Sequence, residues 1–301
     1  MRGDGLIACV LRAHAVLERE SDLSPANPRI NAALSALVRG VMQGCDSPAE
    51  AARVLATPSI TAIRAELVRR LALAEGALER HWAGVFSQRD GLTAANLPEF
   101  PYWDCYRSLV EAELACLRPY LALGTAESLA FVGGGPLPLS AVLLHAATKL
   151  RVACVDADSG ACSLAQALLR KAGLTGIEVR CAAGADHEYA PHPVVLVASL
   201  VQDKAQVMRR IRATRPEAVV GLRSAEGLCT LLYEPVDEAQ IEALGCGYLG
   251  RTAPNPRAIN TTLLYEASPL RWGLRGHDGA EEMHNLAKGT IPAKAGTQYT
   301  S

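Results

Sequence analysis

Three consecutive glycines, Gly133, Gly134 and Gly135, follow an apolar run and precede Pro136, Leu137 and Pro138. Glycine lets backbone approach a ligand closely and adopt positive φ. Pro138 suits the first turn of a helix, where its missing N–H has no intrahelical use. A plain turn would use the same residues, so the triplet alone decides little. The next apolar run ends at Asp156, about 20 residues after the turn, where a carboxylate can accept hydrogen bonds from ribose hydroxyls. Asp158 reads instead as the cap of a helix opening at Ser159. The turn is not G-x-G-x-x-G, and prolines open the helix behind it. That departs from dinucleotide binding. It suits a nucleoside without a pyrophosphate, such as S-adenosylmethionine, held by Gly133, Gly134, Gly135, Pro136 and Asp156.

Other residues invite chemistry with a bland reading beside it. Asp186 follows the third apolar run and is a candidate partner for an adenine amino group, or a solvated loop acid. Ser199 and Leu200 follow the fourth run, at the carboxyl edge where ligands bind such sheets. Glu75 and Glu79 lie four apart, on one side of a helix beside Leu78 and Trp82. A carboxylate there could orient and deprotonate an ammonium, although a solvated helix face has the same pattern. Tyr106 could hold an amine or the sulfonium arm through its hydroxyl, or be a core aromatic with a wet tip, and Tyr102 has the same alternatives. Arg223 could grip a substrate carboxylate with both prongs of its guanidinium, or form a surface ion pair. His81 reads as a packed structural residue.

These residues need elements to position them. Ile60, Ile63, Leu67, Leu71, Ala74, Leu78 and Trp82 recur at steps of three and four, the mark of one buried helix face. Pro58 and Ser59 stand at its start. Shorter helices are expected at 31–42, 53–55 and 106–121, with a loop over 91–101. From Glu127 onward the pattern changes. Strands are expected at 129–132, 152–155, 177–181, 194–198 and 218–222, with helices at 139–149, 161–172 and 204–214 between them. This βαβ alternation predicts an α/β fold with a parallel, Rossmann-like sheet of the class I methyltransferase type. Two last strands, 248–252 and 259–266, predict an antiparallel edge hairpin. The division expected is a helical region over 1–125, a Rossmann-like S-adenosylmethionine-binding domain over 126–268, and a disordered, dispensable tail over 269–301.

Bulk composition narrows the function. Thirty basic residues face thirty-one acidic ones in 301 residues, so no basic field calls for nucleic acid. No apolar run reaches the roughly 20 residues a membrane helix needs, and residues 5–16, interrupted by Arg12 and His14, lack a signal-peptide pattern. Nine cysteines without C-x-x-C pairs read as reduced thiols in a cytoplasmic protein. No metal site is expected. Small molecules are the expected partners. The sequence does not specify an oligomeric state, and a homodimer is compatible with it.

Several segments also resemble a known family. Residues 131–139 read FVGGGPLPL and are similar to the FVGSGPLPL segment of nicotianamine synthases. Phe100, Pro101, Tyr102 and Trp103 with Tyr106 resemble their FPYY-x-x-Y stretch. Residues 74–81 are similar to their AEGHLESH helix. Residues 222–227 with Tyr233 resemble LRSAHG…LY, and Ile259 with Asn260 resembles the IN before their last strand. The resemblance spans roughly residues 50 to 267. It implies transfer of the aminocarboxypropyl arm of S-adenosylmethionine to an amine, releasing 5′-methylthioadenosine. It also implies that Glu79 and Tyr106 stand at the reaction centre. Glu226 replaces the plant-type histidine, and the stretch Trp103, Asp104 and Cys105 also differs. With the short length, these departures point to the bacterial opine-metallophore branch, of the staphylopine and pseudopaline type. In that branch a single transfer to the α-amine of histidine is expected, with Tyr102, Arg223 and Glu226 toward the acceptor. Nicotianamine synthase proper is the alternative within the family, and an ordinary class I methyltransferase and a non-catalytic S-adenosylmethionine sensor are the rival readings outside it.

Overall fold

The computed structural model describes residues 3–44, 47–122 and 127–268. The expected tail over 269–301 lies outside these described residues. Five helices come first: α1 (Gly3–Arg19), α2 (Pro28–Gln43), α3 (Pro48–Leu55), α4 (Pro58–Gln88) and α5 (Trp103–Ala122). Proline opens α2, α3 and α4, where its fixed φ suits the first helical position. Asn27 and Ser47 cap α2 and α3 by accepting the backbone N–H of Arg29 and Glu50. Helix α1 lies in the region expected to be helical, although no bounds were expected for it. Its buried Leu6, Cys9, Val10, Ala13 and Leu17 form one face, which Arg12 and His14 obscure in the linear sequence. The expected loop over 91–101 contains a 3-10 turn, Ala94–Glu99, closed by a capping box between Thr93 and Asn96.

The second part alternates β1 (Ser128–Val132), α6 (Leu139–Thr148), β2 (Arg151–Asp156), α7 (Ser159–Lys171), β3 (Ile177–Cys181), β4 (Val194–Val197), α8 (Lys204–Thr214) and β5 (Val219–Ser224). A 3-10 turn (Gly227–Leu231), a short helix α9 (Glu238–Ala243), β6 (Gly247–Arg251) and β7 (Thr261–Glu266) follow. The sheet order is β3-β2-β1-β4-β5-β7-β6. The first five strands pair in parallel, and β7 runs antiparallel to both β5 and β6. This is the expected class I methyltransferase arrangement, with its edge hairpin. Helix α9 and the second 3-10 turn were not foreseen, because each is too short to show a period.

Three hydrophobic cores hold these layers. On one sheet face Ala83 and Phe86 of α4, and Val110, Leu114 and Leu117 of α5, pack with Leu129, Phe131 and Leu196. On the other face Met208 and Ile211 of α8 and Ile241 of α9 pack with Val195, Val220 and Tyr265. The third core joins α1, α2 and the first half of α4 to Leu228, Leu231 and Leu232. The 31 residues of α4 span about 46 Å at 1.5 Å per residue. One end of α4 therefore belongs to the helical core and the other to the sheet core. Glu75 and Glu79 fall between them.

Candidate active site

The carboxyl ends of β1, β2 and β4 and the middle of α4 enclose a cavity of about 620 Å³. Its floor is the glycine turn. Gly133 and Gly135 have φ of +83° and +64°, a region that excludes most side chains. At Gly134 the constraint is space, since a Cβ there would lie 2.1 Å from Cys154 Sγ. Gly133 N donates to Val155 O at 2.7 Å, tying the turn to β2. Asp156 finishes that anchoring. Its Oδ2 accepts from Gly135 N at 2.8 Å and its Oδ1 from Asp158 N at 2.9 Å. Asp158 caps α7, accepting from the N–H of Gly160 and Ala161, as expected.

Gly133, Gly134, Gly135, Pro136, Asp156, Ser199 and Leu200 all line the cavity. The loop carrying Ser199 is pinned from below. Lys204 Nζ donates to Ser199 O at 2.8 Å and to Val201 O at 2.9 Å, and burial pushes its ammonium down to about 8. Asp186 is exposed and outside the lining. The turn after β3, closed by Asp186 N donating to Ala183 O at 2.9 Å, presents Ala183, Gly184 and Ala185 to the cavity instead. The adenine role expected of Asp186 is therefore set aside.

Helix α4 forms the opposite wall. Tyr106 Oη donates to Glu79 Oε1 at 2.8 Å, and Tyr233 Oη donates to Glu75 Oε2 at 2.7 Å. Glu79 faces the glycine turn: a Cβ on Gly135 would stand 2.5 Å from its Oε2. Burial, then the Glu75 and Asp156 charges, push the Glu79 carboxyl up to about 8 against the Tyr106 hydrogen bond. Burial also raises Glu75, and burial raises Tyr106 well above the usual phenol. Tyr102 lines the same wall, its ring edge-on to Phe100 at 6.0 Å. Five carboxylates line the cavity (Glu75, Glu79, Asp156, Asp158 and Asp203) against two guanidiniums, Arg80 and Arg223.

Both guanidiniums are engaged. Arg80 pairs with Asp158 at 2.5 Å. Arg223 lines the cavity, but its fork is taken: Nε donates to Glu113 Oε1 at 2.8 Å and Nη2 to Glu113 Oε2 at 3.0 Å. Thr262 Oγ1 also donates to Glu113, at 2.7 Å. The two-pronged grip on a substrate carboxylate expected of Arg223 is thus spent inside the protein, on a carboxylate that is wholly buried. Glu226 is displaced more plainly. It is exposed, pairs with Arg251 at 2.6 Å, and is not part of the lining. Its backbone caps the 3-10 turn, which aims the side chain at the sheet edge. His81 is exposed, edge-on to Trp82 at 6.3 Å, not packed. Tyr233 and Asn260 line the cavity but were seen only as matched letters. No periodic signal links residue 233 to residue 75 before the chain folds.

Among the described residues no group of three or more His, Cys, Asp or Glu is arranged to hold a metal. The eight described cysteines are free thiols. No described helix is long and apolar enough to cross a membrane.

Comparison with known proteins adds to this geometry. The nicotianamine synthase protein family matches residues 2–269. Nicotianamine synthase 3 of Oryza sativa subsp. indica is 30% identical over 269 residues, covering 85% of this chain and 76% of that protein. Nicotianamine synthase 2 of Oryza sativa subsp. japonica is 31% identical over 292 residues, covering 91% and 87%. Among solved structures, the fold is similar to a single-residue mutant of MtNAS in complex with S-adenosylmethionine. The TM-score is 0.72 at 21% identity, over 87% of this chain and 98% of that one. It is also similar to MtNAS in complex with MTA and tNA, with a TM-score of 0.73 at 22% identity over 86% and 97%.

Proposed function

The chain belongs to the nicotianamine synthase family, the S-adenosylmethionine-dependent aminocarboxypropyl transferases, and we propose that it builds a nicotianamine-type product at the Glu79–Tyr106 pair. The carrying observation is the Glu79 carboxylate, buried, bonded to Tyr106 and facing the glycine turn. S-adenosylmethionine is a sulfonium with three carbons open to attack. Attack on the methyl is methyl transfer, whereas attack on the γ-carbon of the methionine arm moves the aminocarboxypropyl group and releases 5′-methylthioadenosine. Positioning selects the carbon, because the leaving sulfur is the same in each case. An excess of carboxylates suits a cationic substrate. In this reading Asp156 and the glycine turn hold the nucleoside. Glu79 takes a proton from the acceptor ammonium so that a neutral amine attacks, and Tyr106 fixes the carboxylate's orientation. Helices α4 and α5 supply these acceptor-side groups, and the carboxyl ends of β1, β2 and β4 supply the nucleoside side.

The acceptor is the open term. The relatives named nicotianamine synthases favour nicotianamine itself as the product. A single transfer to histidine, in a bacterial opine-type metallophore route, is the second reading. The Glu226 substitution no longer argues for it, since that residue is exposed, paired with Arg251 and outside the cavity lining. What favours it is an apolar part of the lining, Leu34, Val38, Leu71, Leu232 and Ile259 from the helical core, which suits a flat ring better than several carboxylates. Purified protein incubated with S-adenosylmethionine, with and without histidine, tests both by mass spectrometry. Nicotianamine from S-adenosylmethionine alone supports the first reading, and a histidine adduct appearing only when histidine is added supports the second. S-adenosylhomocysteine in place of methylthioadenosine would sink the transfer itself.

A further inference from the structure

Helix α4 carries a second carboxylate–phenol pair that the transfer leaves without a task. One turn before Glu79, Glu75 accepts from Tyr233 at 2.7 Å. The two pairs are built alike. Each joins a carboxylate of α4 to a tyrosine from another element, α5 for Tyr106 and the segment after the second 3-10 turn for Tyr233. Both carboxylates line one cavity. Four residues of helix set them about 6 Å apart along its axis. A buried carboxylate with a neutral phenol as its hydrogen-bond donor lacks a counter-charge. Arg223 is the guanidinium whose charge acts on Glu75, but its hydrogen bonds go to Glu113.

We infer that Glu75 and Tyr233 form a second nitrogen-binding station, which selects acceptors carrying two nitrogens three carbons apart, one for each Glu–Tyr pair. Such nitrogens span about 5 Å when the carbons are extended, by standard bond lengths, close to the offset between the stations. Two acceptor chemistries have this spacing. One is an aminocarboxypropyl group already joined to an amine. The other is histidine, between its α-nitrogen and its ring Nδ1. The station therefore serves either acceptor reading, and it rests on the transfer reading only for the task given to Glu79.

Calorimetry on the full chain with methylthioadenosine present tests the station without turnover. The ligands are 2,4-diaminobutyrate, histidine, and 2-aminobutyrate, which lacks the second nitrogen. The unmodified protein should bind 2,4-diaminobutyrate or histidine roughly tenfold or more tighter than 2-aminobutyrate, as one charge-assisted hydrogen bond allows. Preference for the diamine points to a chain-extended acceptor, and preference for histidine to a single transfer. Glu75→Gln and Tyr233→Phe should each bring the preferred ligand close to 2-aminobutyrate while keeping methylthioadenosine affinity. Tyr233→Phe preserves shape and decides the matter if Glu75→Gln loses its fold. Equal binding of all three ligands by the unmodified protein overturns the inference. So does a loss in the variants that is the same for 2-aminobutyrate. Absence of methylthioadenosine release with selective binding intact would strike the transfer reading alone.

Discussion

At the scale of the residue, Glu79 and Asp156 are two acids held in opposite ways. Glu79 has one hydrogen-bond donor, the Tyr106 phenol, and its carboxyl is pushed up to about 8 by burial and neighbouring carboxylates. Near neutral pH it holds its proton in the ligand-free protein. A sulfonium entering the cavity favours the carboxylate. S-adenosylmethionine binding at pH 7.5 should therefore release up to one proton, seen by calorimetry in buffers of different ionisation enthalpy. Neutral methylthioadenosine should release little. Glu79→Gln should abolish the release, keep S-adenosylmethionine affinity within a few-fold, and cut turnover. An equal release by both ligands would refute the link to the sulfonium. Asp156 is engaged by two backbone N–H groups, from Gly135 and Asp158. The sequence pointed to it as a ribose acceptor, and the structure adds that it also builds the turn. Asp156→Asn keeps the shape but turns one acceptor into a donor that faces an N–H. S-adenosylmethionine binding should weaken by about 1.5–3 kcal/mol while cooperative unfolding persists. Unaltered affinity in the folded variant would remove Asp156 from the nucleoside site.

At the scale of the element, the strongest sequence signals were those with a long period or a short-range cause. The steps of three and four from Ile60 to Trp82 marked α4, although its last six residues, beyond Trp82, were not anticipated. Strands β1, β2, β4 and β5 appeared as apolar runs because parallel strands are covered on both faces, whereas β3, at the sheet edge, leaves most of its residues exposed. The glycine turn and Asp156 were legible because both sit beside a strand end in sequence. Tyr233, Glu113 and the true surroundings of Arg223 were not legible, since their contacts cross 110 to 158 residues of chain. Glu226 misled because a family position was read as a cavity position. The glycine turn also provides a test of element packing. Gly134→Ala would drive a Cβ into Cys154 Sγ, 2.1 Å away, and overpacking of this kind costs about 1–3 kcal/mol. In a Cys154→Ala background the same substitution should cost much less. Urea unfolding of the four proteins in this cycle measures the coupling, and additive costs would show that the clash is relieved elsewhere.

At the scale of the whole molecule, the buried acids make stability depend on pH in a way the sign of each shift fixes. Glu79 moves from 4.5 when unfolded to about 8 when folded, through burial first and then the charges of Glu75 and Asp156. Between those values the folded protein holds a proton that the unfolded chain lacks, so stability falls as pH rises. Glu75, also raised by burial, acts in the same direction. His192 moves the other way, pushed from 6.5 down to about 4 by burial and by His187. Between 4 and 6.5 the unfolded chain holds the extra proton, so its contribution is present above 6.5 and lost as pH falls. Lys204, lowered by burial to about 8, changes the balance only above that pH. Each such proton tilts stability by about 1.4 kcal/mol per pH unit. His192 offsets Glu79 between about 4.5 and 6.5, and from 6.5 to 8 the Glu79 decline is unopposed. Urea unfolding of the ligand-free protein should therefore show stability dropping between pH 6.5 and 8. Glu79→Gln should make that drop markedly shallower and raise stability at pH 8, because an amide cannot ionise. If the variant loses stability as steeply as the unmodified protein over this range, Glu79 is ionised in the free cavity already. The proton release argued for S-adenosylmethionine binding would then fall with it.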